Sequence, residues 1–189
     1  MSGLSNYIST AMTGAIRLAR FNDDGMHFFD ISTRGFWLSF LAPVLVAPFF
    51  LMLLILRHYD AGGLGIFVHH IAIESLAYVI AWVLFPLIMA SLTRMLGCSE
   101  NFVAFIIAYN WCGALQNGVY LPIAILAHTG ALSSDLSNTF ALTAIVWVLA
   151  FNFFIIRTTL MIAAGTAFGI VTLDFVLSLI IDALTNRFL

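Results

Sequence analysis

The chain has 189 residues, of which 62% are hydrophobic and 8% charged, and its net charge is -2 at neutral pH. Soluble domains carry about 25% charged residues, so this composition is that of an integral membrane protein and excludes a soluble globular domain. The small negative charge and the lack of a basic cluster argue against nucleic acid as a partner. All seven basic residues are arginines, which favours a GC-rich bacterial genome and hence the bacterial inner (cytoplasmic) membrane.

Residues 1–35 are predicted to form a cytoplasmic or interfacial N-terminal segment. The start lacks the cationic and apolar regions of a cleavable signal. From Leu4 to Ala19, apolar residues recur with helical spacing, which predicts an amphipathic helix. This helix either lies on the bilayer or packs on the protein's own cytoplasmic face. On a bilayer, Arg17, Arg20 and Arg34 are candidate contacts for anionic lipid headgroups.

Residues 36–189 are predicted to form one all-α transmembrane domain with five spans. The first span is uncharged between Arg34 and Arg57, and its length of about 31 Å is enough to cross ~30 Å of hydrocarbon. The positive-inside rule places the N-terminus in the cytoplasm and the C-terminus outside, because most arginines then lie on the cytoplasmic side. The predicted spans cover residues 36–56, 67–92, 102–127, 139–156 and 165–184.

Asp174 is the most unusual residue of the predicted membrane domain, because it falls near the middle of the fifth span. A carboxylate at that depth is either neutral or has hydrogen-bonding partners. Amide side chains of the third and fourth spans are candidates, and with Asp174 they form a predicted polar seam. One interpretation is a polar path or ligand pocket; the other is hydrogen bonding that only holds helices together. The seam comprises Asn110, Gln116, Asn117, Asn152 and Asp174.

A second polar group lies near the outer end of the second span. His70 and Glu74 are four residues apart and share a helix face, and His69 precedes them. These side chains could relay protons, or they could hold a metal if His128, Asp60 or Asp182 joined them. The alternative is that Glu74 bonds a neighbouring helix or reaches the interface. The spacing of His and Cys residues does not encode a metal site.

Gly165 and Gly169 are spaced to allow two helices to approach closely, either within the fold or between protomers. We found no metalloprotease, nucleophile-elbow, phosphate-loop or dinucleotide-binding motif. The sequence therefore predicts a protein that is not an enzyme and has no cofactor. Cys98 and Cys112 are interpreted as small buried hydrophobic residues.

The second half of the chain resembles bacterial members of the YIP1 family, over roughly residues 85–184. The resemblance implies a small five-span membrane protein with its N-terminus in the cytoplasm. Eukaryotic relatives act in vesicle traffic by contacting small GTPases, but their Asp-Leu-Tyr-Gly-Pro motif does not occur here, so GTPase binding is not expected. The similar segments are Phe85-Pro86-Leu87, Arg94-Met95-Leu96-Gly97, Ala108-Tyr109-Asn110-Trp111, Leu121-Pro122, Ala164-Gly165 and Leu173-Asp174.

The first functional hypothesis is a non-enzymatic inner-membrane protein that acts through helix contacts, as a homo-oligomer, a scaffold or an adaptor for other membrane proteins. The second is a small proton- or cation-linked transporter or channel that uses Asp174 and Glu74. The third is a protein that binds membrane lipids. The sequence by itself names no ligand, transported species or partner protein.

Overall fold

The computed structural model describes residues 2–59 and 62–189, is 88% helical and contains no strand within those residues. This confirms the predicted all-α fold. Short 3-10 helices at Asp23–Phe28 and Ser99–Asn101 precede α2 and α5. The α-helices are α1 (Ser2–Ala19), α2 (Thr33–Ser39), α3 (Leu41–His58), α4 (Leu64–Met95), α5 (Phe102–His128), α6 (Ser134–Leu160) and α7 (Ala164–Phe188).

Four helical stretches are long and apolar enough to cross a membrane, which identifies a multi-pass membrane protein. The first stretch consists of α2 and α3 together. Helix α5 contains the predicted third span but is not one of the four, because its amide side chains lower its mean hydropathy. The four stretches are Thr33–His58, Leu64–Met95, Ser134–Leu160 and Ala164–Phe188.

Helix α5 is the central helix of the fold. It packs against α1, α2, α3, α4 and α6, while α7 packs against α4 and α6. Its first half carries the bulkiest buried side chains, including Phe105, Ile106 and Trp111, all with no exposed surface. Packing of this kind stabilises membrane helices through close contact, because lipid tails are as apolar as the side chains.

Helix α1 packs on the protein itself, which is the second of the two placements that its sequence allows. Ala11, Ala15 and Leu18 form its buried face, which packs against the following 3-10 helix, α5 and α6. The Tyr7 hydroxyl donates a hydrogen bond to the Gly35 carbonyl at 3.1 Å. The face of α1 formed by Ala11, Ala15 and Leu18 is therefore covered by protein, whereas Leu4 and Ile16 are exposed.

Candidate functional site in the membrane domain

Asp174 lies in the middle of α7, ten residues after Ala164 and about 15 Å along the helix. The Tyr109 hydroxyl of α5 donates to Oδ1 of Asp174 at 2.9 Å, and the Asn152 amide of α6 donates to Oδ2 at 3.0 Å. Gln116 of α5 in turn donates to Oδ1 of Asn152 at 2.8 Å. Both carboxyl oxygens therefore have a donor, and the network joins α5, α6 and α7.

The other two members of the predicted seam point elsewhere. Asn110 is fully buried and donates to the Ser39 hydroxyl at 2.9 Å, on the side of α5 that faces α2. Its Oδ1 has no hydrogen-bond partner among the described residues. Asn117 donates to the carbonyl of Gly113, one turn earlier in its own helix, at 2.9 Å. Neither side chain is bonded to Asp174.

A groove lies between α5 and α6, next to Gln116 of the Asp174 network. Its main part has a volume of about 820 Å³ and is lined by α5, α6 and α7. This size is within the range of about 300–1,000 Å³ that is usual for small-molecule sites. Its lining is mostly apolar, with Ile123, Phe140 and Trp147 among the larger side chains. The polar side chains along it are Gln116, Asn117, Tyr120, Thr143 and Ser178.

The groove continues towards the loop end of α5. A second space of about 330 Å³ shares Tyr120, Ile123, Phe140, Ala141 and Ala144 with the first and ends at Arg57, His128, Ser137 and Asn138. We call the two spaces together the α5–α6 groove. The apolar part of the groove therefore lies between the side-chain amides of Gln116 and Asn117 at one end and the Arg57 guanidinium at the other.

Arg57 is well placed to meet an anion at the end of the α5–α6 groove. Its side chain is 41% exposed, and among the described residues, which do not include Asp60, its nearest carboxylate is Glu74 at 4.0 Å. An ion pair of that length at an exposed site contributes little energy, so the guanidinium keeps donors for another partner. His128 lies beside it and bonds the Leu56 carbonyl at 3.0 Å.

The second predicted polar group, near the start of α4, gains a partner from α3. Nε2 of His58 is 2.5 Å from Oε1 of Glu74, and Nδ1 of His58 is 3.0 Å from Nδ1 of His70. His69 points away from this pair and lies 3.1 Å from the Phe188 carbonyl. Within residues 2–59 and 62–189, no group of three His, Cys, Asp or Glu side chains is arranged to hold a metal ion.

The remaining candidate residues lie on the surface of the described chain. An added Cβ at Gly165 or Gly169 would meet no atom within 4 Å, so these glycines are not used for packing inside the fold. Arg17, Arg20 and Arg34 are exposed. The Arg17 guanidinium lies 4.4 Å from the centre of the Phe28 ring, a distance at which a cation is attracted to the ring face.

Sequence reasoning did not name Tyr109 or His58 as members of these sites. Tyr109 belongs to one of the segments that resemble the YIP1 family, but the sequence did not indicate that it contacts Asp174. It lies seven residues after the start of α5, at the level of Asp174. His58 lies beyond the predicted first span, which covers residues 36–56, but it is the last residue of α3. A search for phenol and imidazole donors at the depth of each acidic residue would have found both.

The fold and these sites define an all-helical, multi-pass membrane protein with a polar network inside its helix bundle. Comparisons of the chain with protein-family models, curated proteins and solved structures gave no match.

Proposed function

We propose that this is a five-span, non-enzymatic inner-membrane protein that binds one amphipathic lipid in the α5–α6 groove. The observation that carries the proposal is the groove itself, which is apolar along its length and has a guanidinium only at its loop end. An acyl chain matches the apolar part, and an anionic headgroup matches Arg57. We infer a membrane lipid because α6 and α7, which line the groove together with α5, are long and apolar enough to span the bilayer.

The proposal needs α5 to cross the membrane in addition to the four stretches named above. In support, α5 has 27 residues, packs against both α4 and α6, and places its amides against neighbouring helices instead of lipid. Five spans put the α4–α5 loop in the cytoplasm and the α5–α6 loop outside. Single cysteines at Ser99 and Ser133, in a chain without Cys98 and Cys112, should react with an impermeant maleimide from opposite sides. Reaction of both from one side would refute the five-span topology.

Lipid binding can be measured by native mass spectrometry of the protein after mild extraction and exchange into defined lipids. We expect one phosphatidylglycerol to remain bound, with several-fold lower occupancy in Arg57→Gln and little change in Arg187→Gln. Ala144→Phe fills the groove that Ala144 lines, so it should remove binding of any lipid. Ala150→Phe, on the exposed side of the same helix, is the matched control. Equal lipid retention in Ala144→Phe and the wild type would refute the proposal.

Proton- or cation-linked transport is a second candidate function. It is favoured by the position of Gln116, which lines the α5–α6 groove and is linked through Asn152 to Asp174. On this proposal, proteoliposomes show a flux driven by a pH gradient, Asp174→Asn abolishes it, and Asp135→Asn on the exposed first turn of α6 does not. An inert protein across a panel of ions and small solutes would exclude this function.

A third candidate function is the one that the sequence favoured, in which the helices bind another membrane protein or a second copy of this chain. The polar network is occupied within the chain, so such contacts would use an exposed face, for which Gly165 and Gly169 leave room on α7. Gly169→Leu should then reduce the cross-linked dimer in native membranes, whereas Gly118→Leu on α5 should not. A monomer in both the wild type and Gly169→Leu would count against this proposal.

A further inference from the structure

A chain of three close polar contacts joins α3, α4 and the end of α7. It begins at Oε1 of Glu74, passes through both ring nitrogens of His58 and reaches Nδ1 of His70. Nε2 of His70 then lies 3.2 Å from the main-chain oxygen of Leu189. We call this arrangement the Glu74–His58–His70 chain.

The three contacts of the Glu74–His58–His70 chain determine how many shared hydrogen atoms it needs. Each of the three contacts needs one hydrogen between its heavy atoms. An ionised carboxylate and a main-chain oxygen only accept hydrogen bonds, and a neutral imidazole has one N–H group and one lone pair. Two neutral imidazoles therefore supply two hydrogens for three contacts. Without a further hydrogen, one contact would bring two lone pairs face to face.

We propose that the Glu74–His58–His70 chain binds one exchangeable proton from the aqueous phase, which converts His58 and His70 into an imidazolium–imidazole pair. The proton forms an N–H bond on one ring and completes the third hydrogen bond. Because Oε2 of Glu74 faces the Arg57 guanidinium, charge balance places the added proton on the imidazoles. This proton site shares Arg57 with the α5–α6 groove, but none of its hydrogen bonds involves a lipid.

The charged side chains around the Glu74–His58–His70 chain also favour one added proton. A space of about 250 Å³ next to it is lined by Arg57, Glu74 and Asp182. With one imidazolium, two cations face two carboxylates. The side chains of His58 and Glu74 are 15% and 12% exposed, and unbalanced charge is costlier there than in water. The other titratable groups that face the region are His69 and Tyr78 from α4, and Tyr120 and His128 from α5.

Loss of this proton should loosen the end of α7. Its last residues are held to α4 by the contacts of His70 with Leu189 and of His69 with Phe188. The proton is bound at low pH and leaves as the pH rises, so the contact between α4 and α7 weakens in that direction. Imidazole changes charge between about pH 5 and pH 8, which is the range to test.

The Glu74–His58–His70 chain predicts an unusual result for the substitution Glu74→Gln. A glutamine amide can donate a hydrogen to Nε2 of His58. The two neutral imidazoles then donate to the next acceptor in turn, and all three contacts are complete without an added proton. A simple salt bridge would instead be broken by the same substitution. Glu74→Gln should therefore keep the end of α7 attached at every pH in the range, whereas Glu74→Ala should not.

The experiment uses the full chain, labelled with ¹⁵N-histidine, in phosphatidylglycerol-containing bilayers. Solid-state NMR should show one imidazolium shared by His58 and His70 at pH 5 that is lost by pH 8, and none in Glu74→Gln. His58→Gln and His70→Gln assign the signals, and His27→Gln on the opposite side should leave them unchanged. Two neutral imidazoles in the wild type at pH 5 would overturn the proposal, as would an imidazolium in Glu74→Gln equal to that in the wild type.

A spin label gives a second readout that does not depend on resolving the NMR signals. It is attached at Phe188→Cys in a chain without Cys98 and Cys112. Its mobility should rise from pH 5 to pH 8 in the otherwise wild-type chain and stay constant and low in Glu74→Gln. Mobility that is independent of pH in both chains, or that rises equally in both, would contradict the proposal.

Discussion

The Tyr109 hydroxyl of α5 donates a hydrogen bond to Oδ1 of Asp174 in α7, with the two oxygens 2.9 Å apart. The Tyr109 ring packs at the same time against Phe85, with ring centres 4.9 Å apart, and against Phe105 at 5.7 Å. One side chain therefore links the aromatic core around α5 to the polar centre of the bundle.

Tyr109→Phe should reduce stability by about 1 kcal/mol, which is within the range for interhelical hydrogen bonds in membrane proteins. The phenyl ring keeps the aromatic packing, so the loss reports the missing donor to Asp174. Thermal or SDS unfolding in detergent measures it. Tyr120→Phe is the control, because Tyr120 is 47% exposed. An equal loss in both variants would show that Asp174 does not need the Tyr109 hydroxyl.

Asn152→Ala should be more damaging than Asn117→Ala. Asn152 is buried and bonds both Gln116 and Asp174, so its removal breaks contacts among three helices. Asn117 bonds only the Gly113 carbonyl of its own helix. We expect a loss of about 1–3 kcal/mol for Asn152→Ala, because it leaves buried polar groups unpaired. The same unfolding measurement applies, and a larger loss for Asn117→Ala would contradict the observed network.

Gly14→Ala should displace α1 from the body of the protein. A Cβ at position 14 would lie 2.8 Å from the Gly25 carbonyl oxygen and 3.1 Å from the Phe29 ring. Overpacking of this kind costs about 1–3 kcal/mol. Trypsin should then cleave faster after Arg17 and Arg20. Gly3→Ala, in the same helix with open space around it, should leave the cleavage rate unchanged; faster cleavage in both would argue against this packing.

Both cysteines should resist alkylation until the protein unfolds. Burial raises the pKa of the Cys98 thiol, so little reactive thiolate is present at neutral pH. Cys112 has no exposed surface. Mass spectrometry after maleimide treatment should show no label on the folded chain and two labels after unfolding in SDS. A higher pH should speed reaction at Cys98, because more thiolate forms. Ser99→Cys, an exposed neighbour, should react in the folded state; rapid labelling of the folded wild type would refute this prediction.

The sequence predicted the helices of the membrane domain well, because uncharged apolar stretches bounded by arginines or turns are a local signal. Each predicted span lies inside a helix of the structure, or inside the α2–α3 pair for the first span. The helices extend beyond several predicted limits. Helix α6, for example, begins at Ser134, because the Ser133 hydroxyl accepts a hydrogen bond from the Leu136 amide.

The candidate sites were less predictable, because depth in the membrane can be read from the sequence but the direction of a side chain cannot. Asn110 and Asn152 were both assigned to the region of Asp174, yet Asn110 turns towards Ser39 and Asn152 towards Asp174. His58 and Glu74 are sixteen residues apart and meet only because α3 and α4 pack against each other.

Composition and hydropathy alone are enough to predict a helical membrane protein, because these properties are local and dominate the energetics in a bilayer. The sequence also marked Asp174 as a carboxylate that needs partners. The three-dimensional packing was needed to identify Tyr109 and Asn152 as those partners, to show that Ala11, Ala15 and Leu18 of α1 are buried, and to reveal the groove beside α5. These features depend on the rotation and spacing of packed helices, which arise from the contacts of the whole bundle.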